Sequence, residues 1–368
     1  MIPENIVKKI ANYKRKEIIK EHTLIIFDEI QACPRALTSL KYFCEEASEY
    51  HILAIGSLLE VAVCHGEYSF PVGKVDFMNM YPMDFEEFLI ATDNKFLVDQ
   101  IKSCYQEDKP MDKLFHEQAL KLYREYLYVG GMPSVVEEYI KNHNYDLIRI
   151  KQQQILDSYF DDMSKYNRSS EIPKTKLVYK NISTQLAKEN RKFKYSSIKN
   201  GGSANEFENA IEWLCLAGVA NRLYKLDHIK IPLNAYQSLT DFKFYMNDVG
   251  LCSASQNILI DDILFDNYSF TDFKGGLTEN YVNNQLIVNK HQRYYWTSGN
   301  KAEIDFIIRL NSDIIPIEVK SSDNTRSKSL LVYVDYFKPT YSIRISTKNF
   351  GFENNIKSVP LYAVFCIK

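Results

Sequence analysis

Residues 24–27, Leu-Ile-Ile-Phe, form an unbroken apolar run that ends in Asp28-Glu29. Continuous rather than alternating apolarity predicts a strand covered on both faces, as in a parallel sheet flanked by helices. Pro34 then opens a helical pattern with Leu37, Leu40 and Phe43 on one side, and a second run, Ile52 to Ile55, ends at Gly56-Ser57. Strand, helix, strand in that order specifies a parallel α/β unit. The chain has 368 residues, and at roughly 150 residues per domain such a unit is one of two or three.

Composition narrows the functional classes. Forty-five Lys and Arg against 47 Asp and Glu exclude a chain that is basic throughout, though not a basic face on one domain. Seven widely spaced cysteines without a C-x-x-C argue against a zinc knuckle or a disulfide framework. The N-terminus mixes Lys, Arg, Glu and Ile, with no signal-peptide core. No apolar run approaches the ~20 residues that cross a bilayer. The expectation is a cytoplasmic protein with no membrane partner.

The pattern changes along the chain. Residues 1–92 hold the α/β unit. Residues 93–168 are helical, with Gly130-Gly131-Met132-Pro133 the one clear break. Residues 169–238 read helix, short helix, helix, strand, the order of a winged helix. Within 171–200, eight Lys and Arg face only Glu171 and Glu189, a local surplus of +6 that could grip a DNA backbone. Residues 239–368 are rich in strands, with one helix near Leu277–Asn289. The expected fold class is therefore α/β and multidomain: a partial parallel sheet, a helical lid, a winged-helix segment and a C-terminal α/β domain.

Two constellations carry chemistry. An apolar strand delivering Asp28 and Glu29 is a Walker B pattern, in which the Asp holds Mg²⁺ and the Glu orients the water that attacks a γ-phosphate. Ser57, ending the neighbouring strand, would sense that phosphate. The companion phosphate loop, G-x-x-x-x-G-K-[ST], does not occur. Its nearest decoy, Gly66…Gly73-Lys74, has six residues between the glycines and Val75 where Ser or Thr belongs.

The second constellation lies near the C-terminus. Two strand-like segments flank Asn311-Ser312-Asp313; the first carries Asp305 and the second Glu318-Val319-Lys320. Positions i and i+2 of a strand share a face, so Glu318 and Lys320 point the same way. A register that sets Asp305 beside Glu318 gathers two carboxylates and an ammonium, and Glu279 on the upstream helix adds a third carboxylate. Carboxylates binding Mg²⁺ (here Glu279, Asp305 and Glu318) with a Lys beside the attacking water are what phosphodiester cleavage requires. Helix Glu, Asp, hairpin, E-x-K is the PD-(D/E)XK order.

These segments together resemble prokaryotic AAA-like P-loop ATPases with a C-terminal restriction-endonuclease-like domain of uncharacterised function. The resemblance is carried by LIIFDEIQACPRALTSLKYFCE (24–45), ILAIGSLL (52–59), SFPVGKVDFMNMYPMDFEEFL (69–89), YLYVGGMPSVVEEY (126–139), KFYMNDVGL (243–251), LTENYVNNQL (277–286) and YYWTSGNKAEIDFII…IPIEVKSS (294–322). It implies ATP as cofactor, with Asp28 at the Mg²⁺ and Ser57 at the nucleotide, and Glu29, Asp305, Glu318 and Lys320 as catalytic groups. It is compatible with a homo-oligomer. Family members place a strand, a phosphate loop and a helix before the Walker B strand, whereas only 27 residues precede Asp28 here. The expectation is a shortened member with a nuclease-like C-terminal domain acting on DNA. The alternative is a non-catalytic nucleic-acid or protein-binding module that keeps both sites as relics.

Overall fold

The computed structural model describes residues 2–56, 73–188, 191–265, 270–299, 302–322 and 328–368. These form two compact units, one comprising Met1–Met80 with Glu212–Gly218 and the other Tyr81–Ile211 with Val219–Lys368. Where the sequence pattern suggests four successive segments, the fold gathers them into these two units.

In the first unit, β1 (Leu24–Phe27) and β2 (His51–Ala54) pair in parallel, with Ile25 opposite Ile52 and Phe27 opposite Ala54. They are joined through α2 (Pro34–Glu46), and α1 (Pro3–Lys14) precedes them. Proline at the first turn of each helix costs nothing, because an N–H there has no intrahelical partner. Val7, Ile25, Phe43 and Ala47 form one small core, and Ile30, Leu37 and Leu40 another. Burial on both faces of the strands is not what the structure shows. Ile25 is buried, while Leu24 and Ile26 are each 54% exposed and Leu53 is 45% exposed. The cores gather Ile25, Phe27, Ile52 and Ala54, so the alternate residues of both strands stand outside them.

The second unit combines helices with a mixed sheet. Its helices are α3 (Phe85–Ala91), α4 (Lys95–Glu107), α5 (Lys113–Val129), α6 (Pro133–Asn142), α7 (Tyr145–Tyr166) and α8 (Ile172–Leu186). Asp84 caps α3 by accepting the Glu87 N–H at 2.8 Å, while the Glu87 carboxylate accepts the Asp84 N–H at 2.9 Å. Aromatic rings pack the core here. The Phe85 ring lies 5.5 Å from Tyr126, and Tyr123 lies 4.9 Å from Tyr281, both edge to face. These four rings are packing groups of a buried core.

After α9 (Ala204–Leu216) come β3 (Ala220–Leu226), β4 (Gln237–Met246), α10 (Val249–Ser255), α11 (Ile260–Leu264), α12 (Thr271–Val288), β5 (Arg293–Thr297), β6 (Glu303–Leu310), β7 (Asp313–Val319), α13 (Lys328–Phe337), β8 (Ser342–Ser346), β9 (Gly351–Glu353) and β10 (Ile356–Pro360). Among the described residues, eight strands form one sheet in the order β4-β3-β5-β6-β7-β8-β10-β9. The helix order expected between 169 and 238 is present, but β3 and β4 are not the wing of a separate domain. β3 runs parallel to β5, with Tyr224 opposite Tyr294 and Leu226 opposite Trp296. Apolar side chains of β3, β5 and β6 then share one core around Trp296, Ile304 and Tyr333. Strand pairing and burial join β3 to the C-terminal sheet, and β4 crosses the expected boundary at 238/239.

Adjacent glycines on α12 have different neighbours. A Cβ on Gly276 would meet the main-chain carbonyl of Leu186, whereas one on Gly275 would meet only the guanidinium of Arg191. Backbone cannot swing aside as a side chain can. Gly276→Ala therefore lowers stability by about 1–3 kcal/mol through overpacking, measured as the urea midpoint. Gly275→Ala lowers it less, since the guanidinium can shift and Ala is favoured over Gly in a helix by about 1 kcal/mol. Equal urea midpoints for the two variants would overturn this reading of the α12–α8 contact.

Candidate functional site

The C-terminal hairpin has the expected register. β6 and β7 pair antiparallel with Phe306 opposite Ile317, so one step beyond that pair Asp305 faces Glu318. Glu318 and Lys320, two apart, share a face, and the Lys320 ammonium lies 3.1 Å from the Glu318 carboxylate. The Val319 N–H donates to Oδ2 of Asp305 at 2.8 Å. Strand β7 is central in the sheet, with β8 parallel on its other side, so these polar groups are set against a buried frame.

α12 brings Glu279 to the same place. Asn280 fixes this helix on β4, accepting the Met246 N–H at 2.9 Å and donating to the Met246 carbonyl at 2.9 Å. The result is a cavity of about 380 Å³ lined by Glu279, Asp305, Glu318, Lys320, Arg191 and Glu303, among others. All four residues expected at the C-terminal site thus meet in one cavity.

The sequence reading missed the cations. Arg191 forms an ion pair with Oε1 of Glu279. Lys243, 1% exposed, lies 3.3 Å from Oε2 of Glu279 and 2.5 Å from Glu303. The Tyr245 hydroxyl donates to the same Glu279 oxygen at 3.0 Å. Both oxygens of Glu279 are therefore engaged within the protein. The signal for Lys243 and Tyr245 was present: in Phe242-Lys243-Phe244-Tyr245-Met246 the two polar residues are spaced to share a face of an otherwise apolar strand. Arg191 carried no local signal, being one cation in a basic run.

Electrostatics divides the carboxylates. Burial raises the Glu279 pKa, but Lys243, Arg191 and the Tyr245 bond outweigh it and hold the group down to about 2. Asp305 goes the other way: burial, then the nearby charge of Glu279, pushes it well above the usual carboxylate range. Glu318 has a buried Oε2 without a hydrogen-bond partner.

Part of the basic stretch is paired with carboxylates. Lys174 pairs with Glu171 at 2.8 Å, Lys192 with Asp241 at 2.5 Å and Lys199 with Glu206 at 3.0 Å.

At the other site, Asp28 and Glu29 follow β1 and are exposed, and the Glu29 N–H donates to Asp28 Oδ1 at 3.0 Å. Glu29 adopts φ 50°. Ser57 lies outside the described residues. Among the described residues, no group of three or more His, Cys, Asp or Glu side chains is placed to hold a metal ion, no helix is long and apolar enough to cross a membrane, and no disulfide is present.

Comparison with known proteins places matches along the chain. Residues 3–89 match an AAA domain, residues 120–260 a domain of unknown function (DUF8612), and residues 274–364 a second domain of unknown function (DUF4143). None of the curated proteins matches. The crystal structure of protein VC1899 from Vibrio cholerae aligns over 99% of this chain and 93% of its own, at 12% identity and a TM-score of 0.19.

Proposed function

We propose that this AAA-domain-containing chain carries, in its second unit, a divalent-cation site that acts on the phosphodiester backbone of DNA. The observation that carries the reading is the cavity holding Asp305, Glu318 and Lys320 together, with a buried Glu318 oxygen lacking a partner. The donor set is all oxygen, which suits a hard cation. Two carboxylates are enough for Mg²⁺, which is commonly held by one or two and keeps several of its waters. Asp305 and Glu318 are the residues that would hold it. Glu279 drops out of the expected ligand set because Arg191, Lys243 and Tyr245 occupy its oxygens. When bound, the ion supplies charge stabilisation at phosphorus. Lys320 holds Glu318 in place and presents an ammonium to the attacking water. The Val319 N–H orients Asp305.

For the first unit, the AAA match supports a nucleotide-linked role with Asp28 and Glu29 as the Walker B pair. The sequence offers no phosphate loop, so no step is assigned to ATP.

Cleavage of labelled DNA with Mg²⁺ or Mn²⁺ tests the proposal. Asp305→Ala and Lys320→Ala are expected to lose about 100-fold in rate, the scale of one positioned acid–base group. No metal-dependent cleavage by the wild type overturns it. A wild type that binds DNA without cleaving it, with binding that survives both substitutions, would establish the non-catalytic binding module instead.

A further inference from the structure

Most cations of the 171–200 stretch that have carboxylate partners find them near the surface, but Arg191 turns inward. Its side chain is 20% exposed and lines the carboxylate cavity. Nη1 is committed to Glu279, yet Nε is buried with no hydrogen-bond partner. A buried donor left unpaired is costly, and native proteins rarely keep one without a use. The cavity therefore holds an unpaired donor on Arg191 and an unpaired acceptor on Glu318.

The surroundings hold this arginine in place. Glu279 anchors one end of the guanidinium fork and is itself held by Lys243 and Tyr245. Gly275 supplies the room: a side chain there would meet Arg191 Nη2 and Cζ and nothing else within 4 Å. Because Lys243 shares the charge of Glu279, the guanidinium is not fully neutralised by its partner. A planar, permanently charged fork with donors to spare matches phosphate oxygens.

We propose that Arg191 is the residue that holds the substrate phosphate in this cavity, admitted by Gly275 and oriented by Glu279. The inference rests on the phosphodiester reading above and adds a binding residue from outside the C-terminal hairpin. It also reassigns Glu279, which acts through Arg191 and is a positioning residue.

The test is anisotropy of a fluorescein-labelled DNA duplex, in EDTA and in Mg²⁺, alongside cleavage in Mn²⁺. Arg191→Ala is expected to weaken binding about tenfold or more, the scale of charged hydrogen bonds. Arg191→Lys, which keeps the charge but loses the fork, recovers some of the loss. Gly275→Ala weakens binding to a similar extent by displacing the guanidinium, while lowering the thermal midpoint less than Gly276→Ala does, a combination that a merely structural role for Arg191 would not give. Lys194→Ala, an exposed cation of the same run, changes affinity less than threefold. Wild-type affinity in both Arg191→Ala and Gly275→Ala overturns the inference, and if those variants still cleave, the catalytic reading survives it. Arg191-dependent binding with no cleavage by any form leaves the inference standing and removes the catalytic reading. A wild type that neither binds nor cleaves DNA overturns both.

Discussion

Replacing Lys243 with Met is expected to lower the unfolding free energy by about 3–5 kcal/mol, the range for breaking a buried charge network from one side. The ammonium is 1% exposed and serves Glu279 and Glu303 together. Met has a similar length and fills the space, so no cavity term enters. The loss is electrostatic: Glu279, Asp305 and Glu303 lose the buried ammonium that faces them. Burial by itself would drive the Lys243 pKa down, yet the surrounding carboxylates hold it well above its usual value. The side chain is therefore charged at neutral pH. Glu303→Gln, at a carboxylate 44% exposed, costs much less, because solvent screens the partner it leaves behind. Urea unfolding at neutral pH compares the two. A Lys243→Met loss below about 1 kcal/mol, within the range of an exposed pair, would show that Arg191 and Tyr245 suffice to hold Glu279.

The two halves of the chain were not equally legible. The strands at 24–27 and 52–54 and the helix between them follow from apolar run length and the proline signal, and they stand where expected. Burial on both faces did not follow, because run length reports apolarity and not which layers arrive to cover it. At the C-terminal site, Asp305, Glu318 and Lys320 were readable since a hairpin register and period-two alternation are local properties. Lys243 was readable in principle from its place in an aromatic strand. Arg191 was not, as its partner Glu279 is 88 residues away and nothing in a basic run marks which cation turns inward. The placement of β3 and β4 was not legible for a related reason. Helix order is local, but the assignment of β3 and β4 to a wing or a larger sheet depends on β5, some 70 residues beyond β3.

The motif YVGGMP was legible as a helix break and NDVGL as resemblance alone, and the structure gives them a joint role with a pH signature. Asp248 caps α10 by accepting the Leu251 N–H at 2.7 Å, and its other oxygen accepts the Gly131 N–H at 2.7 Å. Gly130, at φ 76°, has no room for a Cβ because the Asp248 carboxylate occupies that space. Burial pushes the Asp248 pKa up to about 6, against the pull of the Gly131, Leu251 and Gly250 N–H groups. In the unfolded chain the group titrates near 3.9. Below that value both states carry the proton, and the protonated form's contribution to stability is fully present. As pH rises through the window to about 6, the unfolded chain gives up its proton while the folded one retains it, and stability falls by about 2–3 kcal/mol. Asp84, also raised to about 6, has the same sign, and Glu279 the opposite one, so the raw pH profile of the wild type is a composite. The stability gap between wild type and Asp248→Asn isolates one group. That gap should move against the wild type by about 2–3 kcal/mol between pH 4 and 7 and level off above 7. A gap that stays constant across the range would mean that the three N–H donors fully offset burial, leaving Asp248 an ordinary ionised cap.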